Sequence, residues 1–381
     1  MLSGALLLKV ALLAILYLAA ANEPGDPSYQ APREGDANDL VWYLARGFDA
    51  NAYQRLAREG YYDTFSRNYP MAFPLCIRAV DAVVGNTQTA AVLVSNLNAV
   101  LALAAFYLLA RHYARKRGVS PFGALLLFVS CPGWLTFGSV AYSESTYLVF
   151  ALFAWVAYLR AEADSTSPRR LPWLLLASVL VAASVMTRHI GAPFFLALGL
   201  VELLRIVRAG SGSAAGAGGG AGGITRGRAF GEACCALWAG IPVAAYFLWK
   251  MSEHGLNELQ EEIWQMRFSF LGGPGSLIDL GIGTQYIALI YLSLPLVLAL
   301  CVKLRAVDAR LALVSVLLLL LALSYTGLAA QSSTRYMWAI WPLALGGLEL
   351  RDRALTWGLA GVLFGLSVWT GVGHVLGTAA L

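Results

Sequence analysis

The feature that most constrains this chain is a succession of apolar runs, each close to the length a helix needs to cross a bilayer. Hydrocarbon offers no partner to backbone N–H and C=O groups, so a segment crossing ~30 Å of lipid must satisfy them internally, as an α-helix does. About eleven such spans are predicted: Gly4–Ala21, Thr89–Leu109, Pro121–Phe137, Ser143–Tyr158, Leu171–Met186, Ala192–Leu204, Glu232–Trp249, Tyr286–Val302, Leu311–Ala330, Tyr336–Leu350 and Leu355–Leu376. With 59% of its 381 residues hydrophobic and 13% charged, the chain lacks the polar surface of a water-exposed globule of that size. The reading is an all-α polytopic membrane protein, one integral membrane domain over residues 1–381. Its first run carries Lys9 in the middle and ends in small residues, as a signal peptide can, and is taken as a retained span.

Alternating the sides gathers the basic residues on one face. Arg111, Arg115, Lys116 and Arg117 lie there, then Arg160, Arg169 and Arg170, then Arg205, Arg208, Arg226 and Arg228, and finally Lys303, Arg305, Arg310, Arg351 and Arg353. The positive-inside rule makes this face cytoplasmic, with the N-terminus inside and the C-terminus outside. The net charge of +5 is therefore topological, and no basic-aromatic module for nucleic acid accompanies it. The Gly/Ala/Ser stretch 210–223 reads as a flexible cytoplasmic linker. Two outer segments, 22–86 and 251–283, are long enough to fold on the membrane surface. In the first, Asp36–Arg46 and Ala50–Glu59 have helical apolar spacing (Tyr53, Leu56, Ala57) and Gly60 is a natural stop, predicting interfacial helices against the outer leaflet. In the second, Leu256, Leu259, Ile263 and Trp264 oppose Glu258, Glu261 and Glu262, predicting a surface helix.

The five cysteines and four histidines have no metal-ligand spacing, so no metal site is expected, and the cysteines read as small core residues. Ionisable groups at the ends of apolar spans are costly unless paired or solvated, and each is a candidate functional residue. Asp49, Glu144, Arg188, His189 and Arg335 all fall at the outer interface. A carboxylate beside cations at a membrane surface suits chemistry on a lipid-linked phosphate, the carboxylate removing a proton and the cations stabilising phosphate charge. Each also has a plain structural role open to it: Asp49 as a helix cap, Glu144 as a first-turn acid, the arginines as snorkelling flanks, His189 as a satisfied interfacial side chain.

Taken in order, FDANAYQRLAREGYY, NYPMAFPL, SNLNAVLALAAFYLLAR, CPGWLTFGSVAYSESTYLVFALFA, MTRHIGAP and TRYMWAIWPL resemble the PIG-V-like mannosyltransferases, which include the enzyme adding the second mannose in GPI-anchor assembly. The matches run from about Phe48 to Pro342, clearest at Asp49 through Gly60-Tyr61, Phe73-Pro74-Leu75, Tyr142-Ser143-Glu144-Ser145, Thr187-Arg188 with Gly191, and Arg335-Tyr336. The chain departs from the family in having Phe48-Asp49 for Trp-Asp and Met71-Ala72-Phe73-Pro74-Leu75-Cys76 for Phe-Phe-Pro-Leu-Tyr-Pro. The resemblance implies the GT-C architecture, an active site on the outer or lumenal face, and an inverting transfer of mannose or a related hexose from a polyprenyl-phosphate sugar to a glycan, lipid or protein acceptor. It implies Asp49 as base, Arg188 and Arg335 as phosphate contacts, Glu144 as a group orienting sugar hydroxyls or an arginine, and Tyr142, His189 and Tyr336 in the substrate site, with no cofactor and no obligatory metal. The Ala/Gly/Arg-rich composition without an ER-retention tail points to a prokaryotic cell membrane. A transporter or flippase of lipid-linked sugars, and a non-catalytic subunit of a glycosylation complex, are the alternatives.

Overall fold

The computed structural model describes residues 2–22, 39–63, 65–165, 167–212, 226–252, 271–272, 284–324 and 333–376. Among them the regular structure is helical: α1 (Leu2–Asn22), α2 (Asp39–Ala45), α3 (Phe48–Glu59), α4 (Ala72–Val84), α5 (Thr87–Arg117), α6 (Phe122–Ser130), α7 (Pro132–Leu135), α8 (Glu144–Ala163), α9 (Arg170–Thr187), α10 (Ala192–Gly212), α11 (Arg226–Leu237), α12 (Gly240–Ser252), α13 (Thr284–Val307), α14 (Ala309–Leu323), α15 (Ser333–Trp338) and α16 (Arg353–Leu376), with short 3-10 turns between some of them. Six are long and apolar enough to cross a membrane: α1, α5, α8, α9, α10 with the 3-10 turn before it, and α16. α11 and α12, bent by 45° at their junction, make a seventh when counted as one span. The chain is a helical membrane protein. Its longest helix shows why the spans form where they do: α5 starts on Asn86, whose side chain accepts the Thr89 N–H at 2.8 Å, and stops at left-handed Gly118 behind Arg115, Lys116 and Arg117. The cap satisfies an orphan donor, and the terminal cations suit the negative end of the helix dipole.

Three expected spans are not continuous α-helices: Glu232–Trp249 is split between α11 and α12 at Trp238 and Ala239, and two others break more sharply. Pro121–Phe137 breaks after Ser130, where Cys131 is extended (φ −73°, ψ 135°) ahead of Pro132. A proline ring clashes with the preceding turn and has no N–H to give, so the nine-residue α6 covers only ~13 Å, under half of the hydrocarbon. Tyr336–Leu350 breaks after α15, at Ala339 and Ile340, and resumes as a 3-10 helix, Trp341–Glu349, with Pro342 near its start. Irregular backbone at membrane depth is tolerated when buried in protein, and these two breaks shelter each other. Gly133 lies so close to the Trp338 carbonyl that a β-carbon there would sit 2.2 Å from it, and Gly123 is pressed against Gly347 in the same way, at 2.6 Å. Tyr286–Val302 falls within α13, which contains Pro295, and Leu311–Ala330 is represented by α14 as far as Leu323.

The first outer segment is also corrected. The apolar stripe of α3 does not face outward to lipid: Ala50, Tyr53, Leu56 and Ala57 are all at most 4% exposed, against α4 and α5. Burial within the protein removes the same apolar area from water as a leaflet would, and adds close packing. α4 itself has no counterpart in the sequence reading. Of the linker 210–223, residues 213–223 lie outside the described residues, as does the helix expected around Leu256–Trp264.

α8 and α9 run antiparallel for ~30 Å and define the two ends of the molecule. Their connected ends carry a buried ion network that the sequence reading assigned to loop charges. Arg170, 1% exposed, bonds Glu232 and Glu202 at 2.8 Å each and the Ala161 carbonyl at 2.9 Å. Arg205 and Arg228 complete it, Arg205 reaching Glu202 at 3.1 Å and Glu232 at 3.2 Å, and Arg228 reaching Glu232 at 3.0 Å. Two carboxylates inside a helical bundle require counter-charges, and arginines in α9, α10 and α11 supply them. The opposite ends of α8 and α9 carry the candidate site.

Candidate active site

Four elements that are distant in sequence deliver the charged residues of the site. Asp49 sits in the first turn of α3, which follows α2 through Gly47 at φ 85°, a conformation open to glycine; the Gly47 N–H is taken up by the Asn51 side chain at 3.2 Å. Glu144 is the first residue of α8. Arg188 is the extended residue between α9 and the 3-10 turn His189–Gly191, and Arg335 lies in α15.

These side chains form one continuous network. Glu144 Oε1 receives Arg188 Nη1 at 2.6 Å and lies 3.0 Å from Arg335 Nε. Arg335 Nη2 donates to Asp49 Oδ2 at 2.8 Å, and the Tyr69 hydroxyl donates to Asp49 Oδ1 at 3.2 Å. Arg188 also donates to Ser143 Oγ at 3.2 Å, and Ser143 shares a 3.0 Å hydrogen bond with Tyr53. The guanidiniums lie against aromatic faces: Arg188 is 4.9 Å from the Tyr336 ring centre, and Arg335 is 5.2 Å from that of Tyr142 and 5.6 Å from that of Tyr336. Such stacking suits a planar, weakly hydrated cation.

Burial grades the network. The Glu144 side chain is 0% exposed, Arg335 4% and Arg188 6%, whereas Asp49 is 19% exposed. Asp49 is thus the carboxylate that a molecule arriving from outside the protein can reach. Burial alone disfavours the charge on Arg335, but Asp49 and Glu144 outweigh it and hold the guanidinium well above its ordinary pKa. Burial, reinforced by the Asp49 charge, raises the Tyr69 and Tyr142 phenols well above the usual tyrosine range, so both remain neutral donors. Polar capacity is left over: Glu144 Oε2, Tyr142 OH, Ser145 Oγ and Tyr147 OH are buried without a hydrogen-bond partner among the described residues. Each such atom costs about 1–3 kcal/mol, and four around one ion network mark it as unlike ordinary packing.

Asp49, Glu144, Arg188, Arg335, Tyr142 and Tyr336 are brought together. His189 is joined to the network by none of the described hydrogen bonds; its ring packs on Phe247 with centres 4.9 Å apart, and its Nε2 is buried without a partner. Sequence reasoning did not single out Tyr69 or Ser143, and used Tyr53 only as part of an apolar stripe. The signal for all three was their place inside the motifs around Asp49 and Glu144. Among the described residues no group of three His, Cys, Asp or Glu side chains converges to hold a metal ion. Compared with known proteins, the chain matches no family model and no curated relative, so the chemistry has to be read from the site. A reachable carboxylate clamped by a guanidinium and a phenol can accept a proton, beside cations able to face an anion.

Proposed function

We propose that the chain is an inverting membrane glycosyltransferase, moving mannose or a related hexose from a polyprenyl-phosphate sugar to a glycan, lipid or protein acceptor at the outer face of a prokaryotic cell membrane. Asp49 is the observation that carries this reading: a partly exposed carboxylate, oriented by Arg335 and Tyr69, over a buried ion network at one end of the helices. Asp49 takes the proton of the acceptor hydroxyl as its oxygen attacks C1 of the sugar. The bond from C1 to the phosphate oxygen breaks through an oxocarbenium-like state, and polyprenyl phosphate departs from the opposite face, inverting the anomeric carbon. Glu144 is the shared counter-charge of Arg188 and Arg335 and fixes their planes. A guanidinium has five N–H donors, and both described side-chain hydrogen bonds of Arg188 come from Nη1, so its other donors can serve substrate oxygens. Tyr142 and Tyr336 form the aromatic walls. The motif order from Phe48 to Pro342 and the GT-C architecture it implies support the same reading.

The test is transfer of radiolabelled mannose from polyprenyl-phosphate mannose into lipid, glycan and protein fractions by purified protein in liposomes. Label transferred by the wild type and not by Asp49→Asn supports the proposal; equal transfer by both removes Asp49 as base. A second reading, movement of lipid-linked sugars across the bilayer, draws on the broken segments at Cys131 and Ala339, since discontinuous helices also occur in transporters. Redistribution of the labelled lipid between leaflets without covalent transfer would favour it.

A further inference from the structure

We propose that Lys250 is the anchor for the phosphate of the lipid substrate, an assignment that rests on the transferase reading for the identity of that lipid. The starting point is a charge count at the outer end of the molecule. Arg188 and Arg335 are matched there by Glu144 and Asp49, so the central network is balanced before any anion arrives. Two further buried cations lie near it: Arg46, 4% exposed, which is held by the Val375 carbonyl at 2.7 Å and stacked on Trp42 and Tyr43, and Lys250, in the last turn of α12 and 6% exposed. Among the described residues Lys250 has no acidic partner, and its hydrogen bond is a long one, 3.3 Å to the Asn68 carbonyl. A buried ammonium held by one carbonyl has donors to spare and a strong preference for an anion.

Its position joins it to the site on two sides. Asn68 precedes Tyr69, the residue that holds Asp49. One helical turn before Lys250, Phe247 packs on His189, which directly follows Arg188 and lies within the fields of both Lys250 and Arg188. The Nε2 of His189 is buried with no hydrogen-bond partner among the described residues. The other face of α12 is apolar and open: Ile241 is 72% exposed and Leu248 69%, spaced two turns apart on one stripe. A prenyl chain lying along that stripe brings its phosphate to the end of α12, where Lys250 meets the Asn68 carbonyl next to Tyr69.

The experiment uses the full chain in phosphatidylcholine nanodiscs and measures the binding of farnesyl phosphate, farnesol and inorganic phosphate. The wild type should bind farnesyl phosphate more tightly than farnesol. Lys250→Met should weaken farnesyl phosphate by about tenfold or more, the loss of a charge-assisted contact, and leave farnesol unchanged, while Lys250→Arg stays within about threefold of wild type. Unaltered binding of farnesyl phosphate by Lys250→Met, no binding by the wild type, or equal losses for farnesol would overturn the assignment. Inorganic phosphate binding as tightly as farnesyl phosphate would make this a free-anion site and overturn the lipid assignment. If Lys250→Met does not fold, protection of Lys250 in the wild type from an amine-reactive reagent by farnesyl phosphate serves instead, and absence of protection overturns it. Lys250-dependent binding without sugar transfer leaves the anchor standing and removes the transferase reading; transfer with an unchanged donor KM in Lys250→Met does the reverse.

Discussion

Two buried ion networks sit at opposite ends of the same pair of helices, and they differ in how completely they are satisfied. At the end holding Arg170, the four carboxylate oxygens of Glu202 and Glu232 all have partners, from Arg170, Arg205, Arg228 and Tyr158. At the other end, Glu144 Oε2 and the hydroxyls of Tyr142, Ser145 and Tyr147 have no partner among the described residues, and Asp49 is reachable. A saturated network is a clasp: it ties α8, α9, α10 and α11 together, with little capacity left for a ligand. An unsaturated one keeps binding capacity at a standing cost in stability, as functional sites commonly do. Burial and charge type would not separate the two; the accounting of unpaired atoms does.

The comparison can be broken by substitutions that should act on one end alone. The largest effect is expected for Asp49→Asn. It should lower transfer by about 10²–10⁴-fold, the range for loss of a general base, while thermal unfolding in detergent stays close to wild type because the residue is partly exposed. Activity retained with a large loss of stability would make Asp49 a structural partner of Arg335. Next, Arg170→Met leaves Glu202 and Glu232 short of their central cation and should cost about 3–5 kcal/mol of stability, with kcat unchanged in the fraction that remains folded. A fall in kcat at constant melting temperature would deny that this end is merely a clasp.

Glu144→Gln should do some of both, since it removes the shared counter-charge of Arg188 and Arg335 yet keeps the shape. Transfer is expected to fall by about 10-fold or more and stability by about 2–3 kcal/mol, read by pairing initial rates with melting curves. If stability falls and transfer does not, Glu144 belongs with the clasp. The smallest effect is expected for Tyr53→Phe, which deletes the 3.0 Å hydrogen bond to Ser143. About 1 kcal/mol of stability and a few-fold in rate should be lost, and a double-mutant cycle with Ser143→Ala should show the two losses to be coupled.

Much of the membrane character was legible in the order of the residues, because a helix in lipid satisfies its own backbone and so the length and polarity of a run are nearly sufficient to place it. That held for α1, α5, α8, α9, α10 and α16. It failed where proline interrupts an apolar run, since Pro132 and Pro342 leave hydropathy unchanged while ending a helix, and hydropathy cannot tell a span from two short pieces buried in protein. It also failed for α3, whose periodicity reports that one face is buried without saying against what.

The candidate site divides in the same way. By itself the sequence determined which ionisable residues stand where membrane solvation makes them expensive, and so nominated Asp49, Glu144, Arg188 and Arg335. Only the tertiary structure decided that these four form one network, that Asp49 is its accessible member, that His189 turns to Phe247, and that Arg170 closes a clasp when its loop neighbours had suggested a surface charge. The physical reason is range: the cost of a charge near lipid is a property of its own residue and depth, whereas its partner is set by the packing of helices up to 286 positions apart, as in the Asp49–Arg335 pair.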